Sequence, residues 1–331
     1  MAAPQSSDAV PAPGGMRARP ADPLVTLVVP VLNEAESIDR FLVSVRRAFE
    51  SSGIRFEIIF VDDGSQDTTW SLITDASAKT PNVRGIKLSR NFGKEAAMTA
   101  GLDAAAGDVV VPIDVDLQEP PELVLQMLEA WRKGFDVVYG TRSSRRSDTL
   151  FKRSTAHGFY RIFNQLSEMR IPADVGDFRL MDRRVVGALK RLPERNRFMK
   201  GLYAWVGFPS TTVFFERPPR SAGQSKFNVS RLWNFAWDGI VSFSTIPLRV
   251  CTFLGFFTAF LGLAYTFWIV GRTFYLGIDV PGYASLMTVV LFGFSVQFIS
   301  IGILGEYIGR MFLEVKQRPL YLIEADTRDS S

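Results

Sequence analysis

The sequence predicts an α/β domain with a mostly parallel sheet, followed by an amphipathic helix and two helices long enough to cross a membrane. Three observations carry that expectation. Short apolar runs alternate with amphipathic segments over the first 220 residues, acids and amides fall where those runs end, and two long uncharged stretches lie near the carboxyl end. The runs Leu24 to Val31, Phe56 to Val61, Val83 to Leu88 and Val109 to Ile113 have strand length. The segments between them, Glu34 to Glu50, Thr68 to Lys79 and Lys94 to Ala105, have helical spacing. A βαβα rhythm of this kind gives parallel strands covered by helices. A fifth strand is expected over Asp136 to Thr141.

Beyond residue 227 the pattern changes. Asn228 to Pro247 places Val229, Leu232, Trp233, Ala236, Trp237, Ile240 and Val241 at helical spacing. Two tryptophans on that stripe fit a helix lying in the headgroup layer as well as one docked on the soluble domain. Val250 to Gly271 and Val280 to Gly305 carry no charge, and each suffices for a hydrocarbon layer of about 30 Å. The resulting order is a disordered tail (1–23), an α/β domain (24–227), an interfacial helix (228–247), spans at 248–273 and 280–308, and a cytoplasmic tail (309–331). Arg220, Lys226, Arg231 and Arg249 precede the spans and Arg310, Lys316 and Arg318 follow, which sets both termini on the cytoplasmic side. Glu306 and Arg310, four apart, can pair at the end of the second span. Gly255, Gly262, Gly302 and Gly305 offer close helix contacts and hence a homo-oligomer.

Composition narrows the function. With 38 Lys+Arg against 34 Asp+Glu the chain is only mildly basic, so any cationic role is local. One cysteine, Cys251, excludes an internal disulfide and a multi-cysteine zinc site. The first 23 residues lack the apolar core of a signal peptide. Neither a GxGxxG fingerprint after the first strand nor a GxxxxGK[ST] loop occurs, so phosphate must be held another way.

Ligands of parallel sheets bind beyond the carboxyl ends of the strands. There lie Asn33 and Glu34, then Asp62 and Asp63 (VDDGSQD), Asn91 (SRNFGK), and Asp114 and Asp116 (DVDLQEPPE). Asp114, Asp116 and Gln118 supply hard oxygen donors of the kind that Mg²⁺ takes together with substrate phosphates. Arg142 to Arg161 carries Arg142, Arg145, Arg146, Lys152, Arg153 and Arg161 against one acid, Asp148, at the same sheet edge. Such a patch can counter anionic ligands. Without aromatic stacking partners it is not read as a nucleic-acid surface. His157, the only histidine, lies in this stretch and reads as a helix-surface residue.

Taken together, PVLNEAE, VDDGSQD, SRNFGKEAA, DVDLQEPPE, YGTR and RSAGQSKF, ahead of two spans, resemble the family 2 glycosyltransferases of GT-A fold that load sugars onto polyprenyl phosphates. That group includes dolichyl-phosphate mannose synthase and the bactoprenol glucosyltransferases of O-antigen modification. GDFRLM, RFMKGLYAWVGF, GIDVPGYASLM and GEYIGR are similar to the latter branch.

The resemblance implies a UDP-sugar donor, glucose the nearest match, and a polyprenyl phosphate acceptor at the inner membrane of a bacterium. It implies that Pro30, Leu32, Glu34, Val61 and Asp63 form the uridine pocket, with Asp63 on the base and Glu34 near the ribose. Asp114, Asp116 and Gln118 would hold Mg²⁺ or Mn²⁺ against the diphosphate, with Val115 facing inward between the acids, and Arg142 would join the donor site. Arg220 and Lys226, flanking Gly223, would close over the nucleotide and stabilise the departing UDP. Asp177 matches the position of a proposed base. A phosphate monoester is already nucleophilic near neutral pH, so Asp177 is better placed to orient acceptor and sugar. A processive polysaccharide synthase would share the nucleotide site, but its Q-x-x-R-W motif does not occur.

Overall fold

The computed structural model describes residues 18–142, 177–215 apart from 193, 195, 196 and 198, 246–276 and 282–329. Two compact units result. One holds the sheet and includes the chain from Pro319 onward, and the other is a helical hairpin.

The first unit follows the predicted rhythm: β1 (Val25–Val31), α1 (Ala35–Glu50), β2 (Phe56–Asp62), α2 (Thr69–Lys79), β3 (Val83–Leu88), α3 (Lys94–Ala104), β4 (Val109–Pro112), α4 (Leu123–Arg132) and β5 (Val137–Arg142). After the expected strands come β6 (Arg179–Asp182), α5 (Arg183–Lys190), α6 (Met199–Trp205) and β7 (Ser210–Phe215). The sheet has eight strands in the order β7-β5-β6-β4-β1-β2-β3-β8, where β8 is Ile323–Asp326. Only β6 and β8 run against the rest.

Burial on both faces explains why the strands read as unbroken apolar runs. Val25, Leu27, Val29 and Val31 join one core cluster with Ile38, Phe41, Val45 and Phe49 of α1 and Trp131 of α4. Those α1 residues recur at helical spacing on a single stripe, so one turn of periodicity decides which side meets the sheet. On the other face Ile59, Val61, Ile86 and Leu88 pack against Ala97 and Ala100 of α3. Polar side chains are therefore driven to the edges of the sheet.

Two terminal segments expected to be tails belong to this unit. Arg19, assigned to the leading tail, bonds Asp182 at 3.0 Å and Asp136 at 3.1 Å and lies 4.5 Å above the Trp131 ring. Trp131 Nε1 also donates to Asp182, at 2.8 Å. The final residues, expected as a cytoplasmic tail, supply β8 antiparallel to β3. Arg84 grips Asp326 through Nε and a terminal nitrogen. Thr327 accepts the Gly85 N–H at 3.0 Å and a hydrogen bond from Ser77 at 2.9 Å, and Tyr321 donates to Asp103 at 2.8 Å. β8 covers what would otherwise be a bare parallel edge.

The hairpin consists of α7 (Ile246–Leu276) and α8 (Tyr283–Lys316), which contact each other. Val250–Ile269 and Phe292–Lys316 are long and apolar enough to cross a membrane, and neither is buried. Phe253, Phe256, Phe260, Phe267 and Phe298 stand exposed, an arrangement that water does not tolerate and lipid does. Among the described residues the second apolar window overlaps the expected 280–308, and α8 continues to Lys316. Glu306 and Arg310 pair at 3.2 Å. The four glycines expected at helix contacts face open space within this chain, so they do not serve the contact between α7 and α8. Apart from its last two residues, the expected interfacial helix lies outside the described residues.

Burial would raise the Asp326 carboxyl, yet Arg84 and the Arg328 N–H hold it below the ordinary value. A carboxyl lowered on folding contributes stability above about pH 4 that is lost as pH falls through the folded value. Asp326→Asn is expected to lower stability by about 1–3 kcal/mol at pH 7. Thermal unfolding of the two proteins should converge as the solution is acidified.

Candidate active site

The carboxyl ends of β1, β2, β3 and β4 share one edge, and three of their loops are tied together there. Asn33, at φ 54°, takes the left-handed conformation that asparagine tolerates better than most residues. Its Oδ1 accepts the Gln66 N–H at 2.8 Å, and its own N–H donates to Ser65 Oγ at 2.9 Å. The Asp63 carboxylate then accepts Phe92 N–H at 2.7 Å and Gly93 N–H at 2.9 Å, holding the start of α3. Gly64 must be glycine: its φ is +77°, and a Cβ would meet the Arg90–Asn91 backbone at 2.7 Å.

A cleft of about 250 Å³ opens at this edge, lined by Pro30, Leu32, Glu34, Asp63, Lys94, Asp114, Val115 and Asp116, with Val31 and Ala97 beneath. Six residues named from the sequence thus meet there with Asp63. Val61 does not, because its side chain is fully buried under α3. Val115 is 4% exposed and joins the core as expected, leaving Asp114 and Asp116 on either side of it toward the cleft. Leu117 follows at φ 56°, an unusual conformation for a branched side chain. It turns the chain sharply, and Asp116 accepts the Gln118 N–H at 3.1 Å.

β6 brings Asp177 into the same neighbourhood. It pairs with β4 antiparallel, Val109 opposite Asp182 and Val110 opposite Met181. That register, continued past the paired residues, sets Asp177 opposite Asp114. Arg179 is buried between the rings of Tyr139 and Tyr203, at 5.2 and 3.8 Å, and its Nε donates to the Asp177 carbonyl at 3.3 Å. Stacking of this kind fixes the backbone that presents Asp177.

Lys94 joins the two acids. Its Nζ lies 2.7 and 3.0 Å from the Asp114 oxygens and 3.4 Å from Asp177 Oδ2. Burial opposes its charge, but the two carboxylates outweigh burial and hold the ammonium above its ordinary pKa. At Asp63 burial raises the carboxyl, an effect that the two N–H donors offset only in part. Sequence reasoning gave Lys94 no role. A signal was available: it opens a helix, where the macrodipole disfavours a cation, so its placement calls for anions nearby.

Among the described residues no group of three or more His, Cys, Asp or Glu is disposed to hold a metal by itself. A divalent cation would need Asp114 and Asp116 together with oxygens of a substrate. The Gln118 side-chain carbonyl fits that need, since Oε1 is buried and without a partner two residues from Asp116. Gln118 does not itself line the cleft. Arg142 ends β5, its backbone paired with Phe215. Arg220 and Lys226, the rest of the basic stretch and His157 lie outside the described residues.

Acids at the carboxyl edge of a mostly parallel sheet, joined in one chain to an apolar hairpin, define a membrane-associated enzyme domain of α/β type. The model of glycosyl transferase family 2 matches residues 26–189, and that of the GtrB C-terminal hairpin matches residues 246–311. An uncharacterized glycosyltransferase of Synechocystis sp. is 50% identical over 299 residues, covering 90% of this chain and 94% of the relative. The SfII prophage-derived bactoprenol glucosyl transferase of Shigella flexneri is 49% identical, with 92% and 98% covered. A prophage bactoprenol glucosyl transferase homolog of Escherichia coli K12 is 47% identical, with 91% and 98% covered. The chain therefore belongs to glycosyl transferase family 2 and carries that family's GtrB-type hairpin. Mannosyl-3-phosphoglycerate synthase of Rubrobacter xylanophilus is a looser likeness, at 17% identity, TM-score 0.46 and 78% of each chain.

Loss of the Asp63 carboxylate should free the loop ahead of α3. In Asp63→Ala the Phe92 and Gly93 amides are expected to exchange hydrogen about ten- to a hundredfold faster, as the loss of two charge-assisted bonds implies. Hydrogen-exchange mass spectrometry of the peptide across Arg90 to Lys94 reads this directly.

Proposed function

We propose that the protein transfers glucose from UDP-glucose, with inversion, to the phosphate of a polyprenyl phosphate, undecaprenyl phosphate in a bacterium. The observation that carries this reading is the pair Asp114 and Asp116, set at the carboxyl edge of the sheet in a cleft shared with Pro30, Leu32, Glu34 and Asp63. High identity to bactoprenol glucosyl transferases over nearly their whole length supports the sugar and the carrier.

In this reading Pro30, Leu32, Glu34 and Asp63 receive the uridine, and Val61 backs them from the core. Asp63 keeps lone pairs free beyond the two N–H groups it accepts, so it can both hold the loop and meet the base. Asp114 and Asp116, with Gln118, would hold Mg²⁺ or Mn²⁺, which would supply positive charge against the negative charge that grows on departing UDP. Arg142, Arg220 and Lys226 supply further positive charge to the same leaving group. A phosphate oxygen of the lipid attacks the anomeric carbon as the bond to UDP breaks, and the electron pair leaves with UDP. The acceptor dianion has no proton to surrender, so Asp177 orients rather than deprotonates. The apolar hairpin keeps enzyme and lipid carrier in one plane, which raises their effective concentration. Both termini lie on the cytoplasmic side of the inner membrane, where nucleotide sugars are made. The glycines of the hairpin leave room for a second copy to pack, as a homo-oligomer would require.

Membranes supplied with radiolabelled UDP-sugars and undecaprenyl phosphate should yield an organic-soluble glucosyl lipid. Asp116→Ala is expected to lower turnover about a hundredfold or more while leaving membrane insertion intact. Full synthesis in excess chelator, or by the Asp116→Ala protein, would overturn the reading.

A further inference from the structure

The reaction described above leaves Lys94 without a task, although Asp114 of the cleft and Asp177 from the start of β6 converge on it. Partial burial and the positive end of the α3 dipole both oppose its charge, and the Asp114 and Asp177 carboxylates outweigh that burial. It is also held firmly in place. Gly93, just before it, donates its N–H to Asp63 at 2.9 Å, and Phe92 does so at 2.7 Å. An ammonium has three donors. Asp114 takes contacts at 2.7 and 3.0 Å, whereas Asp177 stands at 3.4 Å, longer than the roughly 2.7–2.9 Å of a well-formed charge-assisted bond.

That asymmetry separates a fixed partner from an exchangeable one. Asp114 belongs to the donor side of the cleft, beside Asp116. Asp177 arrives on a different segment, just ahead of β6, and meets the same nitrogen. An incoming phosphate monoester meets three carboxylates here, Asp114, Asp116 and Asp177, each of which repels a dianion. An ammonium placed between them removes that repulsion where it is largest.

Resting on the reaction proposed above, we infer that Lys94 binds the acceptor phosphate: a phosphate oxygen takes the donor now directed at Asp177, while the Asp114 contact stays. Lys94 moves no proton in the displacement. Its work is to hold a dianionic nucleophile among carboxylates and in line with the anomeric carbon, with Asp114 keeping the ammonium in place.

The experiment uses the full-length protein in lipid nanodiscs, with wild type, Lys94→Met and Lys94→Arg compared. Steady-state kinetics are taken separately against undecaprenyl phosphate and UDP-glucose, and UDP affinity in Mn²⁺ is measured by calorimetry. Lys94→Met is expected to lower kcat/KM for the acceptor about tenfold or more, with UDP affinity within about twofold of wild type. Lys94→Arg, which keeps the charge, should recover a large part of that loss. An unchanged acceptor kcat/KM would overturn the inference, as would a loss that follows UDP affinity, or equal loss in both variants together with a lowered unfolding temperature. Wild-type protein that transfers no sugar to undecaprenyl phosphate would instead remove the underlying reaction, and the inference with it.

Discussion

Burial of the sheet on both faces is the constraint from which the site follows. With α1, α2 and α4 against one side and α3 against the other, the central strands have no wet face on which to display a charge. The acids of the cleft accordingly stand where strands end. Because six of the eight strands point the same way, their ends collect acids and amides from distant parts of the chain along one rim. The two reversed strands complete the arrangement: β6 returns Asp177 to the rim beside Asp114, and β8 seals the side of β3.

The rim is then made rigid by backbone contacts rather than by side-chain packing. Asp63 holds the α3 loop, Asn33 and Ser65 hold each other's loops, and Gly64 allows the Arg90–Asn91 backbone to approach within a distance that no side chain permits. Near the cleft, left-handed backbone falls at Asn33 and Leu117. Pre-setting both turns means that little reorganisation is needed when a charged ligand enters.

Most of this was legible in the residues. The first four strands and three helices fall within a residue or so of their expected bounds, since apolar runs and helical stripes record burial directly. Asp114 and Asp116 were visible as acids at the end of such a run. β8 was not, because four residues ending in Glu, Ala and Asp carry too short a pattern to announce a strand. Arg19 escaped for a related reason: its partners Trp131, Asp136 and Asp182 lie more than a hundred residues away. Val61 was placed in the pocket by likeness, although strand alternation turns it toward α3. Lys94 needed the three-dimensional meeting of β4 and β6 before its charge acquired a purpose.

The late arrival of β8 also bears on how the molecule is made. A ribosome delivers β3 some 230 residues before its outer neighbour, with both apolar helices synthesised in between. During that interval β3 presents an uncovered row of amides and carbonyls, a ready template for mispairing with another nascent chain. Biogenesis is thus a race between insertion of the hairpin and capture of that open flank, and the last dozen residues decide who wins.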